Sequence, residues 1–244
     1  MNNASPGLDL LFLGSGNAVG SEGRAFSSFL LDGRYLFDCG PTVLQQLRKL
    51  KLSSRQVEAV VISHFHGDHF FGLPFLLLDG WKEQRTEDLQ IAGPPGIEER
   101  TEQLMETAFP RMNGRLQFRR IYTEVSDRGL TSLGNLRFRA AQVEHVPGLE
   151  CFAFRVEHNG KSLVFSGDAR LCRSLLNLVA GADLLVLECS CAGEAVHLSP
   201  EDIARIVDIA GPQAQVIVTH LDSTDHPNGF DGLHVASDLA RFSF

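Results

Sequence analysis

Apolar runs of strand length recur along the chain and alternate with amphipathic stretches, a pattern that predicts an α/β fold. The runs are LDLLFLG at 8–14, YLFDCG at 35–40, EAVVIS at 58–63, LRFRAAQVE at 136–144, SLVFSG at 162–167, DLLVLE at 183–188 and AQVIVT at 214–219. Helices are predicted at 41–53, opened by Pro41, in the leucine-rich stretch after Asp68, and at 97–109, 169–180 and 199–210. The last is well marked, because Ser199 can cap it, Pro200 fits the first turn and Asp202 completes a capping box. Residues 26–31 and 35–37 flank Asp32-Gly33 as a hairpin, and a second hairpin is expected at His158-Asn159-Gly160.

The first run ends at Gly14, but the other six deliver Asp38, His64, His145, Asp168, Glu188 and His220 at or just past their carboxyl ends. Open α/β sheets hold ligands there, so a site is expected at that edge. Gly14, Gly16 and Gly20, with Asp38 further on, superficially resemble a dinucleotide-binding fingerprint. The spacing is G-x-G-x-x-x-G, and a hairpin follows where the mechanism needs a helix, so dinucleotide binding is set aside.

With 244 residues and 43% hydrophobic content the chain can bury a substantial core, and one domain over 1–244 is expected. The N-terminus has no basic flank before its short apolar run, and no window approaches a membrane span; a soluble protein without an export signal is expected. Five cysteines, none in C-x-x-C spacing, fit small buried thiols in a reducing cytoplasm. A net charge of -8 argues against a broad basic face for long nucleic acids, since phosphate affinity comes largely from Lys and Arg. The basic run RLQFRR at 115–120 alternates with apolar residues and is expected to be the solvated face of a strand.

His64-Phe65-His66-Gly67-Asp68-His69 packs three imidazoles and one carboxylate into six residues directly after a buried run. So many polar groups near a core cost several kcal/mol unless they are paired or bind metal. In an extended segment residues i and i+2 point the same way, so His64 and His66 can chelate one ion while Asp68 and His69 face a second position. Gly67 is expected to remove a side chain where the backbone turns tightly. Nitrogen and carboxylate donors without thiolate suit Zn²⁺, and Mn²⁺ or Fe²⁺ tolerate the same set.

H-F-H-G-D-H resembles the H-x-H-x-D-H signature of the metallo-β-lactamase superfamily, and the likeness continues in order through Asp38 in DCG, His145 in VEHVPG, Asp168 in FSGDA and His220 in VTHLDS. The resemblance implies a four-layer αββα sandwich and two divalent ions. His64, His66 and His145 would hold one, Asp68, His69 and His220 the other, and Asp168 would bridge them around a shared hydroxide. Asp38 would orient a histidine rather than bind metal. FLGSGNAVG, Ser27-Ser28, GPPG at 93–96, GDAR, LLVLECS and THLDS are further similar to ribonuclease Z and its small phosphodiesterase relatives. In that branch Glu188 and His197 match residues implicated in protonating the leaving group, and with Asp68 they are the expected catalytic residues.

Two departures shape the expected substrate. Where ribonuclease Z has a proline followed by lysine, arginine and asparagine in its early loop, this chain has Gly20, Glu22, Arg24 and Ala25. No glycine-rich basic arm separates His145 from Asp168. The expectation is therefore a phosphodiesterase acting on a small phosphodiester or short nucleotide. Open alternatives are a tRNA 3′-processing endoribonuclease acting on RNA, a hydrolase of acyl esters, thioesters or lactones, and a non-catalytic metal-binding module. A homodimer is implied by the resemblance alone.

Overall fold

The structure, a computed structural model, describes residues 7–222 and 233–244; the first six residues and His226, to which no role attaches, lie outside them. One seven-stranded sheet has the order β14-β1-β2-β3-β4-β5-β6. Its strands are β1 (Asp9–Gly14), β2 (Ser28–Leu31), β3 (Tyr35–Phe37), β4 (Ala59–Val61), β5 (Leu89–Gly93), β6 (Arg120–Glu124) and β14 (Arg241–Ser243). The second has the order β13-β12-β11-β10-β9-β8-β7. It contains β7 (Leu130–Leu133), β8 (Leu136–Val143), β9 (Cys151–His158), β10 (Lys161–Phe165), β11 (Leu184–Glu188), β12 (Gln215–Thr219) and β13 (Leu233–Val235).

Alternation along each strand sorts apolar side chains between two destinations. Ala59 and Val61 of β4, Leu163 and Phe165 of β10, and Ile217 of β12 pack between the sheets, where Phe12, Phe29, Phe37, Phe138 and Phe154 are also buried. Phe29 stacks on Phe37 with ring centroids 4.8 Å apart, and Phe165 from the other sheet meets Phe37 edge-on at 5.9 Å. Each such fully buried ring contributes about 1.5–3 kcal/mol of burial free energy.

The opposite faces are covered by helices. Val60 of β4 packs with α1 (Val43–Lys49), α3 (Leu73–Lys82) and α4 (Ile97–Ala108). Val164, Leu185, Leu187, Val216 and Val218 pack with α5 (Arg173–Val179) and α6 (Pro200–Ala210). The result is the four-layer αββα arrangement. No helix among the described residues is long and apolar enough to cross a membrane.

The hairpins at Asp32-Gly33 and Asn159-Gly160 form, each with two consecutive positive φ values. Helix α6 has its capping box on Ser199 and Asp202. Three expectations change. The helix after Asp68 is interrupted, with α2 (Gly67–Phe70) separated from α3 at Gly72. A Cβ on Gly72 would lie 2.1 Å from the Gly40 carbonyl oxygen, and one on Gly40 would lie 1.9 Å from that of Asp68, so these glycines let the DCG turn back against the ligand-bearing loop. The run at 115–120 is not a strand face, since only Arg120 enters β6. Arg119 pairs with Asp88 and Arg120 with Glu102 and Asn113. Gly67 starts a helix with no positive φ, so turn geometry does not demand it; a Cβ there would press on the exposed Phe71 ring at 3.0 Å.

Candidate metal centre

Parallel pairing of β3, β4 and β5, and of β10, β11 and β12, brings their carboxyl ends to one edge of the sandwich. There the sheets approach closely. Phe152 N–H donates to the Ser63 carbonyl at 3.1 Å, and a Cβ on Gly167, whose φ is +56°, would lie 2.8 Å from the Ser63 Cβ. The contact presents Asp168 from one sheet to His64 from the other.

Three overlapping groups of side chains converge closely enough to hold a metal ion: His64, His66, His145 and Asp168; Asp68, His69 and His220; and Asp168, His197 and His220. Asp168 lies between them, with Oδ2 3.8 Å from Nε2 of both His64 and His145 and 3.4 Å from Nε2 of His220, and Oδ1 3.3 Å from Nε2 of His69. Asp68 Oδ2 lies 3.1 Å from His69 Nε2 and 3.4 Å from His220 Nε2. The first two groups bring together the residues of the two expected ligand sets, with Asp168 in the first; the third was not foreseen, and it puts His197 close to Asp168 and His220.

Donor chemistry fits divalent cations. The Nε2 atoms of His64, His69 and His145 are buried without hydrogen-bond partners, although they face one another across the cluster. Burial holds His64 well below the ordinary histidine range and lowers His66 and His145, which leaves neutral imidazoles with a lone pair to give. Burial opposes ionisation of Asp168, but the His220 and His69 charges beside it keep its carboxyl well below the usual range.

The other ring nitrogens are anchored. Asp38, fully buried, has Oδ2 2.7 Å from His69 Nδ1 and accepts from the Ser63 amide at 2.7 Å and the Ser63 hydroxyl at 2.8 Å. The same hydroxyl lies 2.9 Å from His64 Nδ1, and His145 Nδ1 lies 2.9 Å from the Val196 carbonyl oxygen. Such contacts fix which nitrogen faces inward and stiffen the ring. Ser63 and the Val196 carbonyl were not anticipated. Ser63 had a signal, as the one polar residue between a buried strand and His64; a backbone carbonyl leaves none.

Glu188 is 1% exposed, and its Oε1 accepts from the Ala169 amide at 2.9 Å and lies 2.9 Å from His197 Nδ1. The His197 ring stands 4.9 Å from that of His145 and 5.3 Å from that of His220. Burial acts to lower its pKa, but the Glu188 hydrogen bond and charge, with Asp168 and Glu194, lift it to about 9. The loop between Glu188 and His197 is tied down by Asp222, which accepts from the Ser190 hydroxyl at 2.6 Å and from the Cys191 and Ala192 amides at 3.1 and 3.0 Å. Asp222 was also missed, though it lies two residues past His220.

Residues 33–221 match the family model described as the β-lactamase superfamily domain. Ribonuclease Z of Listeria monocytogenes serotype 4a is 30% identical over a 309-position alignment that covers 96% of this chain and 99% of that protein. The metallo-β-lactamase fold protein YhfI from Bacillus subtilis shares 20% identity and a TM-score of 0.80 over 98% of this chain and 100% of its own. A diphosphatase from the PhnP family shares the fold at 18% identity and a TM-score of 0.75, over 97% of this chain and 98% of its own. A matched model over most of the length, a shared fold and a His/Asp cluster at the expected edge lead to one assignment: this chain is a hydrolase of the metallo-β-lactamase superfamily, related to ribonuclease Z.

Proposed function

We propose that the protein is a binuclear metal-dependent phosphodiesterase acting on a small or short phosphodiester. In this reading His64, His66 and His145 would hold one ion, Asp68, His69 and His220 the other, and Asp168 would be shared between them. When bound, two divalent ions, zinc by donor type with Mn²⁺ or Fe²⁺ as alternatives, would activate a water as Lewis acids and neutralise charge on the phosphoryl oxygens. Burial opposes the ionisation of Asp68, but His69 and His220 keep it an anion able to accept the proton of the attacking water. Glu188 holds His197 by Nδ1, and His197 gives a proton from Nε2 to the oxygen that departs from phosphorus with its bonding pair.

The observation that carries this reading over hydrolysis of acyl esters, thioesters or lactones is the buried Glu188–His197 pair set against the His/Asp cluster. It supplies a proton on the side where an alkoxide leaves. The test is a substrate panel on metal-loaded protein: bis(p-nitrophenyl) phosphate should be hydrolysed well above background, and thioester and β-lactam substrates should not. The reverse ranking would overturn the reading.

Relation to ribonuclease Z favours a second reading, cleavage of precursor tRNA. Against it, β9 and β10 are joined by a tight turn at Asn159-Gly160, which leaves no arm between His145 and Asp168, and the chain carries a net charge of -8. The small-substrate reading is therefore preferred.

A further inference from the structure

We propose that the cleft beside His145 is a second anion subsite, in which Arg170 binds a phosphate neighbouring the scissile linkage. The role of that phosphate rests on the phosphodiesterase reading, whereas the binding site stands on the geometry of Arg170.

Arg170 follows Asp168 by two residues and crosses to the loop after β8. Its backbone N–H donates to the Glu144 carbonyl at 2.7 Å, and Nη2 donates to the His145 carbonyl at 2.9 Å. The rest of the guanidinium is uncommitted among the described residues: Nε is buried without a hydrogen-bond partner, and no carboxylate pairs with the group. Glu144, on the same cleft wall, is exposed and does not reach it. Elsewhere Arg48, Arg55, Arg119 and Arg241 each have a carboxylate partner.

The cleft holds about 250 Å³, walled by Val143, Val146, Pro147 and Leu149, and shares His145 with the metal cluster. A cation partly withdrawn from water beside apolar walls, without a counter-ion, is costly until an anion arrives. Apolar walls also lower the local dielectric and strengthen the pairing. Because His145 belongs to both places, an anion on Arg170 would lie beside the metal centre, within the reach of a second phosphate on the same substrate. That selects a substrate carrying two phosphates over one carrying the scissile phosphate alone.

The test is calorimetric binding of thymidine 3′,5′-bisphosphate and thymidine 5′-monophosphate to metal-loaded protein. Wild type should prefer the bisphosphate on the order of tenfold, the scale of one charged hydrogen-bonded contact. Arg170→Gln should bring the ratio close to one, and Arg170→Lys should keep part of it, since a point charge remains while the planar fork is lost. If Arg170 only braced the His145 loop, Arg170→Gln would weaken both ligands equally and leave the ratio intact. That result, or a ratio near one in wild type, overturns the proposal. Hydrolysis judges the other reading separately: a protein that prefers the bisphosphate yet cleaves no phosphodiester keeps the subsite and loses the phosphodiesterase reading.

Discussion

Replacing His197 by alanine separates proton delivery from metal binding. Nδ1 lies 2.9 Å from a carboxylate that is 1% exposed, whose hydrogen bond and charge raise the ring's pKa to about 9 against the effect of burial. A general acid so placed contributes about 10²–10⁴-fold, or roughly 3–5 kcal/mol, when the departing oxygen is a poor leaving group. His197→Ala should lose that much on an alkyl phosphodiester and much less on a p-nitrophenyl ester, whose phenolate departs without a proton. Glu188→Gln should show a weaker version through pH. Without the carboxylate, His197 loses the hydrogen bond and charge that raise its pKa, and its protonated fraction above neutral pH drops. The rate on the alkyl ester falls as pH rises through the His197 pKa, so the alkaline limb should move to lower pH in Glu188→Gln. Bound cations lower the pKa in both proteins, so the readout is the difference between them. The assay is the ratio of the two substrates' losses at constant metal content. Equal losses would refute the argument, and so would loss of an ion in His197→Ala, which would make His197 a ligand, as its approach to Asp168 and His220 permits.

Asp38→Ala frees His69 Nδ1 and should weaken metal affinity about 10–100-fold, measured by competition with a chelator, while leaving the fold intact by circular dichroism. Gly72→Ala drives a Cβ to 2.1 Å from the Gly40 carbonyl oxygen, so it should destabilise the protein by more than about 2 kcal/mol in denaturant unfolding; a change under half that would show that the two loops separate easily. Cleavage of a small phosphodiester should exceed cleavage of precursor tRNA and depend only shallowly on salt, and efficient, steeply salt-dependent tRNA cleavage would restore the ribonuclease reading.

Much of the centre was legible because its residues stand at strand ends, where apolar periodicity stops and His or Asp follows. Asp38, His64, His145, Asp168, Glu188 and His220 all lie at or just past the carboxyl end of β3, β4, β8, β10, β11 or β12. What escaped has local physical reasons. The break at Gly72 depends on a backbone contact with Gly40, thirty-two positions away, which no helical period encodes. Strands β7 and β14 are short and half-exposed edge strands with little apolar signal, and β14 finds its place through long-range pairing with β1. Asp222 acts on its neighbours through hydrogen bonds to backbone amides and a hydroxyl, so residue type alone could not distinguish it from solvated loop polarity.

The central claim is that two ions on the His/Asp cluster make this protein a phosphodiesterase. Metal-stripped protein should be titrated with Zn²⁺ or Mn²⁺ while bound metal and hydrolysis of bis(p-nitrophenyl) phosphate are followed together. The prediction is that activity is negligible at one ion per chain, rises as the second binds, and fails to appear in Asp168→Ala at any loading. Full activity with one ion or none, or two ions bound with no phosphodiester cleaved, would contradict it.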